Sequence, residues 1–171
     1  MYPQEVINIS WNDYGKLCEK LDKDIGNGLN YDSILAISRG GLPVGVYLSH
    51  SRQLPLFVIS ARCYKDYQEG PAVKICPQIA GVGKLGRNIL LVDEINATGK
   101  TILVVKEHLR KGYDINFIKT AVFISKPSSA VKVDYHACAI IKEDQWFRFP
   151  YEREIIPQPI HHYAFSKQFK L

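Results

Sequence analysis

Asn88-Ile89-Leu90-Leu91-Val92-Asp93-Glu94-Ile95-Asn96-Ala97-Thr98-Gly99-Lys100-Thr101 reads as a buried strand, a pair of acids, a small polar loop and the start of a helix. Ile89 to Val92 is a short run of branched apolar residues, the pattern of a strand covered on both faces. Beyond the loop, Ile102, Val105, His108 and Leu109 recur at helical spacing. A loop that opens a helix offers unpaired N–H groups and the positive end of the helix dipole, which suits a phosphate. Gly99 allows close approach of the backbone, and the Thr98 and Thr101 hydroxyls add donors.

The loop is not a nucleoside-triphosphate P-loop. That motif needs a glycine five residues before Gly99, and position 94 is Glu, whose carboxylate would repel a triphosphate. Asp93 and Glu94 suit instead a ligand that brings vicinal hydroxyls or a magnesium ion beside its phosphate, such as a phosphorylated sugar.

A second unit of the same kind lies upstream. Ser33 to Ile37 is a buried strand that runs into Ser38-Arg39-Gly40-Gly41-Leu42-Pro43, and Pro43 suits the first turn of a helix. The glycines permit unusual backbone angles and Arg39 supplies a fixed positive fork. Parallel α/β sheets gather ligands at the carboxyl ends of their strands, so the two loops are expected to share one site.

Together these stretches resemble the signatures of the type I phosphoribosyltransferases. The resemblance covers about residues 8–155 and runs most closely to the xanthine-guanine and hypoxanthine enzymes. It implies an α/β fold of three layers, with a mostly parallel central sheet flanked by helices and a flexible hood. It implies that Asp93 and Glu94 hold the ribose hydroxyls of phosphoribosyl pyrophosphate (PRPP) as the catalytic acids. Asn96, Ala97, Thr98, Gly99, Lys100 and Thr101 would hold its 5′-phosphate, and Arg39 and Gly40 its pyrophosphate. Lys74 is a further pyrophosphate candidate, by position alone. Mg²⁺ is the implied cofactor, with Glu94 and Glu152 as its candidate ligands.

The likeness extends to the second substrate. Trp146-Phe147-Arg148-Phe149-Pro150-Tyr151-Glu152 resembles the purine-side segment of those enzymes. By that resemblance Trp146 stacks on a purine, Phe147 contacts it through main-chain atoms, and Lys126 donates to a 6-oxo group. One position departs from the pattern. Where many 6-oxopurine enzymes carry Asp before the Thr-Gly pair, this chain has Ala97, which does no acid–base chemistry. Alanine stands there in adenine phosphoribosyltransferases, so adenine is the rival substrate. Glu94, Asp144 or a water are the candidates to compensate. A PRPP-sensing regulator that binds nucleic acid is the rival of a different class.

Around these motifs the chain reads as one domain, residues 1–171. Ser10 and Asp13 resemble a capping box, and Tyr14, Leu17, Cys18, Leu21 and Ile25 form an amphipathic stripe that ends at Gly26-Asn27-Gly28. Leu54 to Ile59, Phe117 to Ile124 and Ala137 to Ile141 are further strands. Residues 61–86 alternate weakly and carry many breakers; the resemblance places the hood loop here, closing over PRPP. Residues 156–171 form a tail without a family role, where His161-His162 is expected to make a surface or subunit contact.

Composition narrows the partners. The net charge of +5 has no basic run behind it, so a cationic cleft for a polyanionic small molecule is expected rather than nucleic acid. No run of 18 apolar residues is present and the first residues lack a signal-peptide pattern, so a cytoplasmic protein without a membrane partner is expected. Cys18, Cys63, Cys76 and Cys138 lack metal spacing and are expected as reduced structural thiols. By family habit the chain is expected to form a homo-oligomer, a dimer or tetramer.

Overall fold

The computed structural model describes residues 5–66, 70–139, 145–152 and 161–164. A short strand, β1 (Glu5–Asn8), leads into α1 (Trp11–Ile25). The Asp13 N–H donates to Ser10 Oγ (3.1 Å), and the Ser10 N–H and hydroxyl donate back to Asp13 Oδ2 (3.2 and 2.7 Å). This capping box satisfies N–H groups that the first turn leaves open. The expected stripe of Tyr14, Leu17, Cys18, Leu21 and Ile25 is the buried face, and Gly26 at φ 58° stops the helix.

The main sheet follows from alternating strands and helices: β2 (Ser33–Ser38), α2 (Gly41–Arg52), β3 (Leu56–Asp66), β4 (Gly70–Ile75), β5 (Asn88–Asn96), α3 (Lys100–Gly112), β6 (Phe117–Ser125) and β7 (Tyr135–Ala139). Its order is β4-β3-β2-β5-β6-β7, parallel except where β4 returns antiparallel to β3. Central strands covered on both faces read as unbroken apolar runs, as in Ile34–Ile37 and Ile89–Val92, all buried. One face packs α1 and α2: Leu17, Leu21, Val44 and Leu48 meet Ile34, Ala36, Leu90, Val92 and Phe123. The other packs α3: Ile102, Val105 and Leu109 meet Leu35, Ile37, Ile89, Leu91 and Val122.

A second sheet differs from the expected layout. β8 (Gln145–Arg148) and β9 (His161–Ala164) flank β1 in the order β8-β1-β9, both parallel to it. This small separate sheet is built from the two ends of the chain, not from residues 61–86. The expected loop over 61–86 begins instead as a hairpin: β3 continues to Asp66, and Ala61 to Asp66 pair with Ile75 to Gly70. The ladder's hydrogen bonds hold this hairpin although its side chains alternate weakly. The tail likewise has a structural place, since His161 and His162 stand in register with Glu5 and Val6. β7 starts at Tyr135, two residues before the expected strand. The expected end of that strand at Ile141 lies outside the described residues, as do Asp144 and most of the tail. No helix among the described residues is long and apolar enough to cross a membrane.

Candidate active site

The crevice forms where two neighbouring strands send their chains to opposite faces. β2 and β5 are adjacent and parallel, with Ala36 opposite Val92. From β2 the chain enters α2 on one face, and from β5 it enters α3 on the other. Such a switch point leaves a groove at the carboxyl ends of the strands. The Ser38–Gly41 loop and the Ala97–Lys100 loop are its two walls.

The helices at this groove are built differently from α1. Gly40 and Gly99 are the N-caps of α2 and α3; neither helix has a side-chain cap or an acid in its first turn. Their positive dipole ends carry no acid and stay open to a ligand, although the Leu42 N–H donates to Arg39 O at 3.1 Å, whereas Ser10 and Asp13 close the start of α1. Gly99 adopts φ 80°, and a Cβ there would stand 2.8 Å from the Val131 backbone N, so position 99 takes only glycine without strain. Arg39, Ala97, Thr98 and Lys100 are exposed and Thr101 half-buried. Thr98 Oγ1 lies 3.4 Å from the Lys100 N–H.

Asp93 and Glu94 stand between the loops, both half-buried. The Glu94 N–H donates to Asp93 Oδ1 at 3.0 Å. The Glu94 carboxyl lies over Gly40: a Cβ at position 40 would fall 1.7–1.9 Å from its atoms. Gly40 thus makes room for an acid from the other loop. Burial, then the neighbouring Glu94, pushes the Asp93 carboxyl well above the usual carboxylate range. Glu94 Oε2 is buried with no hydrogen-bond partner among the described residues. An orphaned hard oxygen beside a second carboxylate fits Mg²⁺, which takes one or two carboxylates and completes its shell with water and phosphate oxygens. No group of three or more His, Cys, Asp or Glu among the described residues could hold a metal by itself.

Asn96, expected at a 5′-phosphate, has a side chain that is buried and engaged elsewhere. Its Nδ2 donates to Val131 O (2.7 Å) and Ser125 Oγ (3.1 Å), and its Oδ1 accepts from Ser129 Oγ (2.9 Å). Its carbonyl accepts the Lys126 N–H at 2.9 Å, which fixes Lys126 beside the Ala97–Lys100 loop. Asn96 ties the ends of β5 and β6 together. Asn96→Ala is expected to lower stability by about 1–2 kcal/mol, because buried partners lose their hydrogen bonds; urea unfolding measures this.

The comparisons with known proteins identify the family. The phosphoribosyl transferase domain matches residues 8–155. The chain belongs to the type I phosphoribosyltransferase family. A purine phosphoribosyltransferase from Pyrococcus horikoshii is 30% identical in sequence, over 90% of this chain and 98% of that one, with a TM-score of 0.75. The xanthine-guanine-hypoxanthine phosphoribosyltransferase of Helicobacter pylori shares the fold at 24% identity and a TM-score of 0.72, over 84% of this chain and 92% of that one.

In this phosphoribosyltransferase the expected purine-side residues divide. Trp146 is half exposed, at 50%, whereas its neighbour Phe147 is buried in the core with Ile7 and Phe149. Phe147 can reach a ligand only through its main chain. Glu152 closes a turn: its Oε2 accepts the Phe149 N–H at 2.9 Å, and its own N–H donates to Phe149 O at 3.0 Å. Burial raises the Glu152 carboxyl above its usual range, the Phe149 N–H opposes this, and the charge of Glu94 adds to the rise. Arg148 and Arg39 pull the other way, so Glu152 lies within the field of the groove. One Glu152 oxygen is already committed, which makes it a weaker metal ligand than Glu94. Lys74 lies on the edge strand β4, separated from the Arg39 loop by β3. The residue that the sequence did not single out is Tyr151, whose hydroxyl donates to Gly40 O at 3.3 Å. No local pattern marks a contact between residues 111 apart.

Proposed function

We propose that this phosphoribosyltransferase transfers the 5-phosphoribosyl group of PRPP to a 6-oxopurine, releasing pyrophosphate. The observation that carries the reading is the pair of uncapped helix N-termini on either side of Asp93 and Glu94. Two anion sites with an acid pair between them match a sugar that carries a phosphate at one end and a pyrophosphate at the other.

On this reading the N–H groups of residues 97–101 and the hydroxyls of Thr98 and Thr101 take the 5′-phosphate. Asp93 and Glu94 accept hydrogen bonds from the ribose hydroxyls. Arg39 and the N-terminus of α2 take the pyrophosphate. When the bond from C1 of the ribose to the pyrophosphate oxygen breaks, positive charge develops on the sugar and negative charge leaves with the pyrophosphate. The acids favour the first, and Arg39 with the α2 dipole favours the second. A purine nitrogen then forms the new bond to C1. No side-chain nucleophile is required, so positioning and electrostatics carry the catalysis. Glu94 and Asp93 would hold Mg²⁺, which when bound neutralises charge on the pyrophosphate.

Lys126, fixed at the end of β6, and half-exposed Trp146 support a 6-oxopurine. Ala97 supports adenine as the second reading, since it has no group to take a proton from the base. Pyrophosphate release from PRPP with Mg²⁺ is the test, run separately with hypoxanthine, guanine, xanthine and adenine. Release is expected with at least one 6-oxopurine, lost on chelation and restored by Mg²⁺. Release with adenine alone would make Ala97 the guide, and release with none would end the purine reading.

A further inference from the structure

We propose that Tyr151 is a positioning residue for the pyrophosphate loop: by tethering the Gly40 carbonyl it sets the affinity for PRPP. The inference rests on the function proposed above and gives a role to Tyr151, a residue of the purine-side segment to which the resemblance assigns none.

Ser38 Oγ meets Ser60 Oγ at 2.8 Å and the Leu42 N–H donates to Arg39 O at 3.1 Å, but neither contact holds Gly40 itself. Gly40 caps α2 without a side-chain hydrogen bond, and it has no side chain with which to anchor itself. Its position matters because the Glu94 carboxyl rests directly against it. A small drift of Gly40 would move both the α2 N-terminus and the surface that Glu94 packs on. Tyr151 reaches this point from a segment 111 residues away in sequence, its hydroxyl 3.3 Å from Gly40 O. A carbonyl only accepts, so the hydroxyl must donate.

Tyr151 is itself held firmly. Its turn is closed twice by Phe149 and Glu152, through the Glu152 N–H and the Glu152 carboxylate. Its ring stacks on Phe149 at 5.6 Å and 6°, and meets Tyr14 edge-on at 6.0 Å. Phe149 and Tyr14 are both core residues. A ring already fixed by packing loses little freedom when its hydroxyl engages the loop. A tyrosine hydroxyl is protonated at neutral pH and so serves as the donor here. The tether therefore connects the segment on the purine side to the loop on the pyrophosphate side.

Tyr151→Phe keeps the ring and removes only the donor. Titration calorimetry with PRPP and Mg²⁺, without a base, is expected to show binding weakened about five-fold, within the range of one neutral hydrogen bond. In steady state the KM for PRPP is expected to rise by the same factor, with kcat, the KM for the base and the melting temperature unchanged. A Kd for PRPP equal to that of the unaltered protein overturns the proposal. So does a common change in kcat, both KM values and the melting temperature, which marks general loosening. Absence of PRPP binding by the unaltered protein overturns the underlying function and the tether with it, and so separates that failure from failure of Tyr151 alone.

Discussion

Asp93→Asn is expected to lower turnover by about two to three orders of magnitude while leaving the fold intact, the scale seen when one aimed electrostatic group is removed from a site. The amide has nearly the shape of the carboxylate, and its oxygen can still accept the Glu94 N–H that Asp93 Oδ1 accepts now at 3.0 Å. What disappears is negative charge at the end of β5, where positive charge would develop on the sugar. Steady-state pyrophosphate release measures the loss; unchanged turnover would remove Asp93 from the catalytic role. Stability moves the other way. Burial and Glu94 raise the Asp93 carboxyl well above its usual range, so the folded chain binds this proton more tightly than the unfolded chain. Asp93 thus adds stability below its unfolded pKa, near 4, that is lost as pH rises through the higher folded pKa. The asparagine variant lacks this dependence. At neutral pH it is expected to melt no lower than the unaltered protein, and its melting temperature should vary less between pH 4 and 8.

Gly41→Ala is expected to damage both stability and activity. Gly41 is buried at the start of α2, where the helix backbone lies against β5. A methyl there would stand 2.5 Å from Val92 O and 3.1 Å from the Asp93 Cα. Both are backbone atoms of a central strand hydrogen-bonded on either side, so neither can yield like the tip of a flexible side chain. The cost is about 3 kcal/mol, the upper part of the range for forcing a methyl into closed packing. That corresponds to a melting temperature roughly 6–12 °C lower for a chain of this size. Because the shift falls on Asp93, turnover well below the melting temperature is expected to fall about 100-fold, as for catalytic groups displaced by an ångström. Calorimetry and steady-state assays on the same preparation test both parts. A variant that melts normally would show that α2 and β5 can separate without cost.

The groove was legible in sequence wherever its chemistry is local. Val92-Asp93-Glu94 and Thr98-Gly99 lie within one strand–loop–helix unit, so periodicity, a turn glycine and adjacent acids suffice to read them. The α1 capping box was readable for the same reason, since its partners are three residues apart. The side-chain partners of Asn96 were not legible because they are non-local. It sits inside the phosphate-loop motif, but Ser125 and Val131, 29 and 35 residues away, occupy its amide. The hairpin of β3 and β4 was missed because backbone ladder bonds, not a side-chain pattern, hold it.

The sequence by itself therefore determined the strand–helix units of the main sheet apart from β4, the two anion-ready loops, the acid pair and the family to which they belong. Tertiary structure decided which of these residues are free to meet a ligand. It turned Asn96 inward, laid Glu94 over Gly40, spent one oxygen of Glu152 on a turn, and brought Tyr151 to the Ser38–Gly41 loop. It also joined the two chain ends in one small sheet through β1, β8 and β9. The physical reason is common to all five. Periodicity and capping act over a few residues along the chain, whereas packing and hydrogen bonding act over a few ångströms in space.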